Sequence, residues 1–171
     1  MITLVLGGAR SGKSELAEQL AGAGPGPVTY IATAVVEDEE FAARVGAHRA
    51  RRPSSWTTIE AGSGLIEALR SVPGTALVDS LGTWLAATPE FRGDVPGLLA
   101  ALQERQGETV VVSEEVGLGV HPSTELGGRF RDALGSLNRE VSAVAGQVFL
   151  VVAGRPMRLD GAPVAKSEAV R

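Results

Sequence analysis

The sequence contains no cysteine, and this absence removes several kinds of chemistry from consideration. Disulfide bonds, thiolate zinc sites and cysteine nucleophiles all require the missing side chain. No apolar run approaches the roughly 18 residues that a membrane-spanning helix needs, so we expect no transmembrane segment. The first residues lack the basic region and the long apolar stretch of a signal peptide, so we expect a cytoplasmic protein.

Positive charge is also scarce, which argues against a nucleic-acid partner. The chain has 16 Lys and Arg residues against 20 Asp and Glu residues, and its formal net charge is −4. This balance does not supply the basic surface that non-specific nucleic-acid binding requires. Lysine itself is rare, because Lys13 and Lys166 are the only two. Genomic base composition accounts for the excess of arginine, but the lysine at position 13 still stands where a compact point charge would be needed.

What is present is the composition and patterning of one globular domain. The 171 residues are 44% hydrophobic and 21% charged, close to the usual globular mix. Short apolar runs, which predict strands buried on both faces of a sheet, lie at 3–6, 28–32, 56–59, 76–78, 110–112 and 148–153. Segments with helical periodicity alternate with them, at 14–22, 37–52, 62–71, 81–88, 95–105 and 123–144. The alternation predicts an α/β fold, a mostly parallel sheet with helices on both faces.

The last third of the chain predicts a long helix, a hairpin and a tail. In the helix over 123–144, an apolar stripe runs from Leu126 to Val144, and Thr124 with Glu125 marks the start. Residues 157–159 suit a short last strand that pairs with 148–153 and turns at 154–156. We therefore expect one domain over 1–159 and a mobile tail over 160–171.

The strongest motif follows the first predicted strand. Gly7, Gly12, Lys13 and Ser14 satisfy the pattern G-x-x-x-x-G-K-[ST], with an apolar strand before it and a helix after it. In such a phosphate-binding loop, or P-loop, glycines let backbone N–H groups face phosphate oxygens at a helix N-terminus. The lysine reaches the β- and γ-phosphates, and the serine hydroxyl ligates Mg²⁺. The motif therefore predicts binding of a nucleoside triphosphate together with Mg²⁺.

A P-loop also needs an acidic partner for the metal ion. Asp79 closes the strand over 76–78 and is the candidate; the alternative is that Asp79 caps the helix that follows. Glu114 and Glu115 follow the strand over 110–112, at the sheet edge where α/β proteins bind ligands. One of them is a candidate contact for a second metal or for substrate, and the alternative is that both are solvated loop carboxylates.

Two classes of nucleotide-binding protein fit the sequence poorly. A regulatory GTPase reads guanine with an N-K-x-D motif, and the nearest string, at 138–141, lies inside a predicted helix. The chain is also short for a motor or a transporter ATPase. The P-loop by itself therefore favours a small metabolite kinase.

A histidine among arginines is the second notable feature. His48 lies on the apolar face of the helix predicted over 37–52, and Arg44 and Arg52 lie one turn to either side of it. Cations around an imidazole form an anion site and favour the neutral, nucleophilic form of the ring. From the residues alone, a nucleophile and a histidine packed at the edge of the core are evenly matched interpretations of His48. His121, the other histidine, is interpreted as a loop residue.

Several motifs together resemble one family. They are GGARSGKSELAE at 7–18, YIATA at 30–34, DEEFAARVGAHRARRP at 38–53, and SEEVGLGVHP at 113–122 followed by FRDALGSLNREV. The chain resembles the bifunctional adenosylcobinamide kinase / adenosylcobinamide-phosphate guanylyltransferase family of cobalamin biosynthesis. The resemblance runs in order from residue 2 to about residue 158. The combination of motifs is highly specific, whereas the P-loop alone is not.

The resemblance implies a RecA-like P-loop fold, usually a homotrimer, and two reactions. In the first, ATP or GTP phosphorylates the aminopropanol hydroxyl of adenosylcobinamide, a corrinoid. In the second, GMP passes from GTP through a guanylyl-histidine to that phosphate, giving adenosylcobinamide-GDP and pyrophosphate. The histidine of the family motif is His48 here, and attack of a neutral imidazole on the α-phosphorus fits phosphoramidate chemistry. The resemblance also implies nucleotide contacts at Gly7, Gly8, Ala9, Arg10, Ser11, Gly12, Lys13, Ser14, Ala32, Thr33, Arg49, Ala50, Arg51, Arg52, Glu60 and Asp79.

The chain departs from the family pattern at two positions. Relatives often carry histidine where this chain has Ala47, and asparagine where it has Glu114.

Two other functions stay open for this sequence. The alternatives are a P-loop kinase of another small hydroxylated metabolite and a RecA-like nucleotide-binding regulatory module. A nucleophilic histidine distinguishes them, because neither alternative needs one on the helix after the second strand.

Overall fold

The computed structural model describes residues 1–34 and 52–162. These residues contain a seven-stranded sheet. The strands are β1 (Ile2–Gly7), β2 (Val28–Ala32), β3 (Thr57–Glu60), β4 (Thr75–Asp79), β5 (Thr109–Glu114), β6 (Gln147–Val152) and β7 (Arg155–Arg158). Their order across the sheet is β3-β2-β4-β5-β1-β6-β7, and every neighbouring pair is parallel except β6 and β7. The mostly parallel sheet predicted from the sequence is confirmed.

Helices connect these strands in the predicted alternation. They are α1 (Lys13–Ala23), α2 (Leu65–Ser71), α3 (Leu81–Ala86), α4 (Val95–Glu104) and α5 (Glu125–Val144), with a 3₁₀ turn at Pro89–Phe91. Within the described ranges, no helix has the length and hydropathy needed to cross a bilayer. The helix predicted over 37–52 lies outside the described residues except for Arg52, and so does the chain from residue 163 onward.

Helices cover both faces of the sheet, and each face has its own apolar core. On one face, α1 buries Ala17 and Ala21. On the other, α2, α3, α4 and α5 contribute buried side chains that include Trp84. Successive residues of β1 alternate between the cores, because Leu4 belongs to one and Val5 to the other. This arrangement explains the continuously apolar strands and confirms the predicted helices on both faces.

The outer strand β3 differs from the prediction of a strand buried on both faces. Thr57, Thr58 and Glu60 are exposed, and Ile59 is half-buried. The reason is position, since β3 lies at the edge of the sheet and pairs with β2 alone. Threonines suit such a solvated edge because they are β-branched but polar.

The predicted final hairpin is confirmed, with a correction to its turn. β6 and β7 remain paired as far as Val152 with Arg155, so the turn is Ala153 and Gly154, not 154–156. Both turn residues have positive φ, 52° and 74°, as in the two-residue turns whose twist matches the flanking strands. The last strand therefore begins two residues earlier than predicted and includes Pro156, which an edge strand tolerates.

Helix α5 begins where the sequence predicts, but its apolar stripe is buried only in part. Thr124 caps the helix, since its Oγ1 accepts a hydrogen bond from Gly127 N at 3.1 Å. Leu134 and Val141 are fully buried, whereas Leu126 is 61% exposed. Leu126 lies in the first turn, and the fully buried part of the stripe starts two turns further on.

Arg105 has a structural role that the sequence analysis did not assign. Its guanidinium donates to the carbonyl oxygens of Leu69, Val72 and Gly74 and to Thr109 Oγ1, over 2.6 to 3.0 Å. Burial lowers the pKa of Arg105, but the four acceptors compensate the charge. The side chain thereby ties the connection between α2 and β4 to the start of β5.

Candidate active site

The loop between β1 and α1 is folded as a phosphate-binding loop. Gly12 has φ 94°, a left-handed conformation that glycine adopts without a steric penalty. Helix α1 starts at the next residue, so its first N–H groups face the loop. Lys13 Nζ donates to Gly8 O at 3.3 Å, which brings the ammonium back over the loop. Gly8, Ala9 and Arg10 are exposed, so their backbone is open to a ligand.

The tip of the final hairpin supports this loop from one side. Gly154 N donates to Ser11 O at 2.8 Å. A Cβ on Gly12 would lie 3.3 Å from Gly154 Cα, so the loop and the hairpin turn are packed backbone to backbone. Sequence reasoning did not find this contact, because nothing in the motif identifies which distant turn lies against it.

Asp79 lies at the carboxyl end of β4, and a tyrosine holds its side chain. Tyr30 OH donates to Asp79 Oδ2 at 2.8 Å. Burial above all, followed by the charge and hydrogen bond of Asp79, raises the pKa of Tyr30 far above its usual range. Tyr30 therefore stays a hydrogen-bond donor at any physiological pH.

The cap of α3 is Ser80, which contradicts the alternative interpretation of Asp79 as a helix cap. Ser80 Oγ accepts from Thr83 N, and the Thr83 hydroxyl accepts from Ser80 N, which completes a capping box. The peptide bond between Asp79 and Ser80 is cis. With capping assigned to its neighbour, the Asp79 carboxylate is available for another purpose.

Thr33, a predicted nucleotide contact, is completely buried beside this turn. Its Oγ1 accepts from Ser80 N at 2.8 Å and donates to Ser80 O at 2.6 Å, and it lies 2.6 Å from Thr83 Oγ1. The side chain thus fixes the end of β2 to the start of α3. The nucleotide contact of Thr33 stays a prediction.

Glu114 is turned into the site rather than toward solvent. It ends β5, and Ser80 Oγ donates to its Oε1 at 2.8 Å and to its Oε2 at 3.0 Å. Burial raises the pKa of Glu114; the Ser80 hydrogen bond and the charge of Lys13 act in the opposite direction, and Asp79 raises it further. The interpretation of Glu114 as a solvated loop carboxylate is therefore wrong.

Glu115 points elsewhere. Its Oε1 accepts from Gly117 N at 2.8 Å, a bond within its own loop. Its backbone N–H donates to Gly7 O at 3.0 Å, which extends the pairing between β5 and β1 by one residue. Of the two adjacent glutamates, the structure brings only Glu114 into contact with another element at the site through its side chain.

Arg52 connects the arginine-rich segment to the same site. Its guanidinium lies 3.5 Å from the centroid of the Tyr30 ring, and its Nη1 donates to Thr58 Oγ1 at 3.3 Å. A cavity of about 380 Å³ opens beside it, lined also by Pro53, Ser54, Trp56 and Thr58. The other predicted residues of this segment lie outside the described residues; they are Arg44, His48, Arg49, Ala50 and Arg51.

The sheet brings the remaining predicted residues to one edge. In the register of neighbouring strands, Ala32 pairs with both Asp79 and Glu60, and Gly7 pairs with Glu114. These residues end parallel strands, so they share the carboxyl edge, where open α/β sheets bind ligands. Glu60 is exposed at the outer end of this row. Sequence reasoning missed Tyr30 and Ser80, because their roles depend on partners 49 and 34 residues away.

Ser14 and Asp79 offer oxygen donors of the kind that Mg²⁺ prefers. Mg²⁺ takes oxygen ligands, usually one or two from protein and the rest from water and phosphate. Ser14 offers a hydroxyl in the first turn of α1, and Asp79 offers a carboxylate. Within residues 1–34 and 52–162, no cluster of three or more His, Cys, Asp or Glu side chains could hold a metal.

Comparison with known proteins identifies relatives along nearly the whole chain. The chain is 42% identical over 173 residues to the bifunctional adenosylcobalamin biosynthesis protein CobP of Pseudomonas aeruginosa, covering 96% of this chain and 100% of that protein. It is 35% identical to the bifunctional adenosylcobalamin biosynthesis protein CobU of Escherichia coli and 37% identical to that of Salmonella typhimurium. Each of these alignments covers 90% of this chain and 97% of the relative.

A comparison of structures adds little. A prototypical ATPase from the type III secretion system of pathogenic bacteria aligns with a TM-score of 0.47 and 15% identity, covering 87% of this chain and 50% of that one. The family model described as cobinamide kinase / cobinamide phosphate guanyltransferase, in contrast, matches residues 3–159. With relatives of this identity over almost their full length, that match establishes that the chain belongs to the cobinamide kinase / cobinamide phosphate guanyltransferase family.

Proposed function

We propose that the protein phosphorylates adenosylcobinamide and then transfers GMP from GTP to the phosphate, forming adenosylcobinamide-GDP and pyrophosphate. Family membership supports both reactions. The observation that best supports the first reaction is the folded P-loop, over which Lys13 turns back so that its Nζ lies 3.3 Å from Gly8 O. A loop of this geometry is ready to receive the phosphates of ATP or GTP before substrate arrives.

In phosphoryl transfer, the residues of the P-loop act mainly by positioning and by charge. The N–H groups at the start of α1 and the Lys13 ammonium hold the β- and γ-phosphates, where negative charge changes during transfer. Ser14 and Asp79 would hold Mg²⁺, which neutralises phosphate charge when bound. The aminopropanol hydroxyl of the substrate attacks the γ-phosphorus directly, so this step needs no nucleophile from the protein.

In guanylyl transfer, we assign the nucleophile to His48. The imidazole attacks the α-phosphorus of GTP, pyrophosphate leaves, and the substrate phosphate then takes GMP from the histidine. The arginines close to His48 in the sequence, Arg44, Arg49, Arg51 and Arg52, are assigned to the phosphates. The contact of Arg52 with the Tyr30 ring supports this assignment, because the hydroxyl of the same tyrosine donates to Asp79.

The remaining assignments are proposals on the same basis. The nucleotide contacts are those named from the family resemblance, from Gly7 to Asp79. We also propose that Mg²⁺ is required, that residues 1–159 form one catalytic domain with a tail over 160–171, and that the protein is a cytoplasmic homotrimer.

Labelling with α-³²P-GTP tests the proposal. The protein is incubated with the nucleotide, denatured and washed, and we expect retained label that is lost in acid and kept in base, as for a phosphoramidate. Addition of adenosylcobinamide phosphate before denaturation should discharge the label into adenosylcobinamide-GDP. Phosphorylation of adenosylcobinamide without any retained label would favour a simple kinase instead. Nucleotide binding with neither reaction would favour a regulatory module.

A further inference from the structure

Glu114 lies between the P-loop and Asp79 along the carboxyl edge of the sheet. Its strand, β5, lies between β1, which leads into the P-loop, and β4, which ends at Asp79. Glu114 pairs in register with Gly7, the first residue of the P-loop motif. It is therefore the carboxylate at the centre of the sheet edge, directly beside the loop that receives the phosphates.

The side chain of Glu114 is held in one orientation by contacts from two elements. Ser80 Oγ, at the start of α3, donates to both carboxylate oxygens at 2.8 and 3.0 Å. A Cβ on Gly82 would overlap Glu114 Oε2, so the glycine leaves space that the carboxylate fills. Glu114 is thus constrained before any ligand binds.

The backbone of Glu114 is fixed as well. Asn138, which is buried in α5, donates from Nδ2 to Glu114 O at 3.1 Å. Its Oδ1 accepts from Ser113 Oγ at 2.6 Å, so one amide holds the last two residues of β5. Such support on both the backbone and the side chain is typical of groups that must be held to within a fraction of an ångström.

The carboxylate can still accept another hydrogen bond. Two carboxylate oxygens provide about four acceptor positions, and one hydroxyl proton from Ser80 occupies at most two of them. Glu114 is half-buried, so it is not sealed from the site. Among the described residues, two charges of opposite sign act on its pKa: Lys13 lowers it and Asp79 raises it.

We propose that Glu114 is the proton acceptor for the substrate hydroxyl in phosphoryl transfer. The inference rests on the proposed kinase reaction. The hydroxyl oxygen bonds to the γ-phosphorus, the bond from that phosphorus to the β,γ-bridging oxygen breaks, and the nucleoside diphosphate leaves with the electron pair. The hydroxyl proton passes to the Glu114 carboxylate and from there to solvent, and Ser80 is the positioning residue that orients the carboxylate.

The role of Glu114 belongs to the kinase reaction alone. In guanylyl transfer the attacking groups are an imidazole and a phosphate, and neither has a hydroxyl proton to lose. Phosphoryl transfer has a loose transition state, so a base increases the rate but is not indispensable. We therefore expect a contribution of about 10²-fold, the lower end of the range for general bases.

Glu114→Gln tests the assignment, because the amide fills the same space and can still accept from Ser80. We expect kcat for phosphorylation of adenosylcobinamide to fall about 10²-fold with KM for the nucleotide unchanged. Guanylyl transfer to adenosylcobinamide phosphate, supplied directly, should proceed at the wild-type rate. Glu115→Gln, the same change at the adjacent carboxylate, should leave both reactions as they are.

The pH profile gives a second readout that a structural role would not change. A base must be ionised, and the pKa of Glu114 is raised by burial, so the wild-type kinase rate should decline in acid at a pH above the usual range for glutamate. In Glu114→Gln, that acid limb should be absent.

Three results would overturn the proposal. One is a Glu114→Gln enzyme with near wild-type kinase kcat and an unchanged acid limb. Another is a loss that additional Mg²⁺ restores, which would make Glu114 a metal contact. The third is an equal loss in Glu115→Gln. If Glu114→Gln does not fold, as shown by loss of guanylyl transfer too, Glu114→Asn gives the same comparison. A wild-type protein without kinase activity would instead refute the proposed function.

Discussion

Tyr30 and Asp79 form a hydrogen bond of 2.8 Å between the hydroxyl and Oδ2, linking the middle of β2 to the end of β4. The face of the same tyrosine ring lies 3.5 Å from the Arg52 guanidinium. One side chain therefore contacts both the proposed metal ligand and the end of the arginine-rich segment.

Tyr30→Phe should weaken Mg²⁺ binding while leaving the fold intact. The substitution keeps the ring beneath Arg52 and removes only the donor to Asp79, which then has more freedom to rotate. We expect the Mg²⁺ concentration for half-maximal phosphoryl transfer to rise several-fold. Calorimetric titration of nucleotide at fixed Mg²⁺ should show weaker binding by about 1 kcal/mol, the usual size of one hydrogen bond.

The matched control for Tyr30→Phe is a change to the other neighbour of the ring. Arg52→Gln removes the cation above the ring but keeps the hydroxyl on Asp79. It should weaken GTP use without changing the Mg²⁺ requirement of the kinase step. If both variants raise that requirement equally, the ring rather than the hydroxyl supports the metal site, and the prediction is wrong.

Lys13→Ala should abolish kinase activity without unfolding the protein. Lys13 is half-buried, contacts the Gly8 carbonyl and belongs to neither apolar core. Loss of a charge that stabilises the transferring phosphoryl group should cost several kcal/mol in the transition state, a rate loss of about 10³-fold or more. Phosphorylation assays with circular dichroism check both parts. A folded variant that phosphorylates adenosylcobinamide at nearly the wild-type rate would refute the assignment.

Asp79→Asn and Ser80→Ala should separate metal binding from helix capping. The asparagine can still accept from Tyr30, so we expect a higher Mg²⁺ requirement and little change in melting temperature. Ser80→Ala removes the N-cap of α3 and also the donor to Glu114, so it should lower stability by about 1 kcal/mol, or about 2–4 °C for a chain of this size, and leave the Mg²⁺ requirement unchanged. Metal titration of the kinase rate and thermal melts compare the two. If Asp79→Asn instead lowers the melting temperature by several degrees and leaves catalysis unaffected, Asp79 has a structural role and is not a metal ligand.

The sequence predicts this fold well because its local signals and its topology agree. Apart from β7, each described strand and helix coincides with an apolar run or a helical period, and the ends of the parallel strands must then share one edge. That rule alone places Asp79 and Glu114 at the same edge of the sheet as the P-loop. Local pattern also predicts the hairpin, although it places the turn one residue too late.

What the sequence does not predict is which residues hold the site in place. Arg105, at the end of a predicted helix, reaches carbonyls 31 to 36 residues earlier in the chain. The orientation of Glu114 depends on a serine 34 residues away and on the missing side chain of Gly82. Periodicity carries no information about such contacts, because they join elements that only the folded sheet brings together. Edge position, which leaves β3 exposed, is likewise a property of the strand order.

His48→Asn should separate the two activities, and this prediction rests on the sequence, since position 48 lies outside the described residues. Asparagine cannot form the phosphoramidate, so guanylyl transfer should be lost, while direct attack of the substrate hydroxyl keeps most of the kinase rate. Guanylylation of the wild-type protein should also fall in acid, because a protonated imidazole is no nucleophile. His121→Asn is the control and should retain both reactions; the His121 Nδ1 lies 2.9 Å from Pro122 O in an exposed loop. Mass spectrometry of the GMP adduct decides between them: an adduct on His121, or adenosylcobinamide-GDP formed by His48→Asn at the wild-type rate, would mean that the nucleophile is not His48.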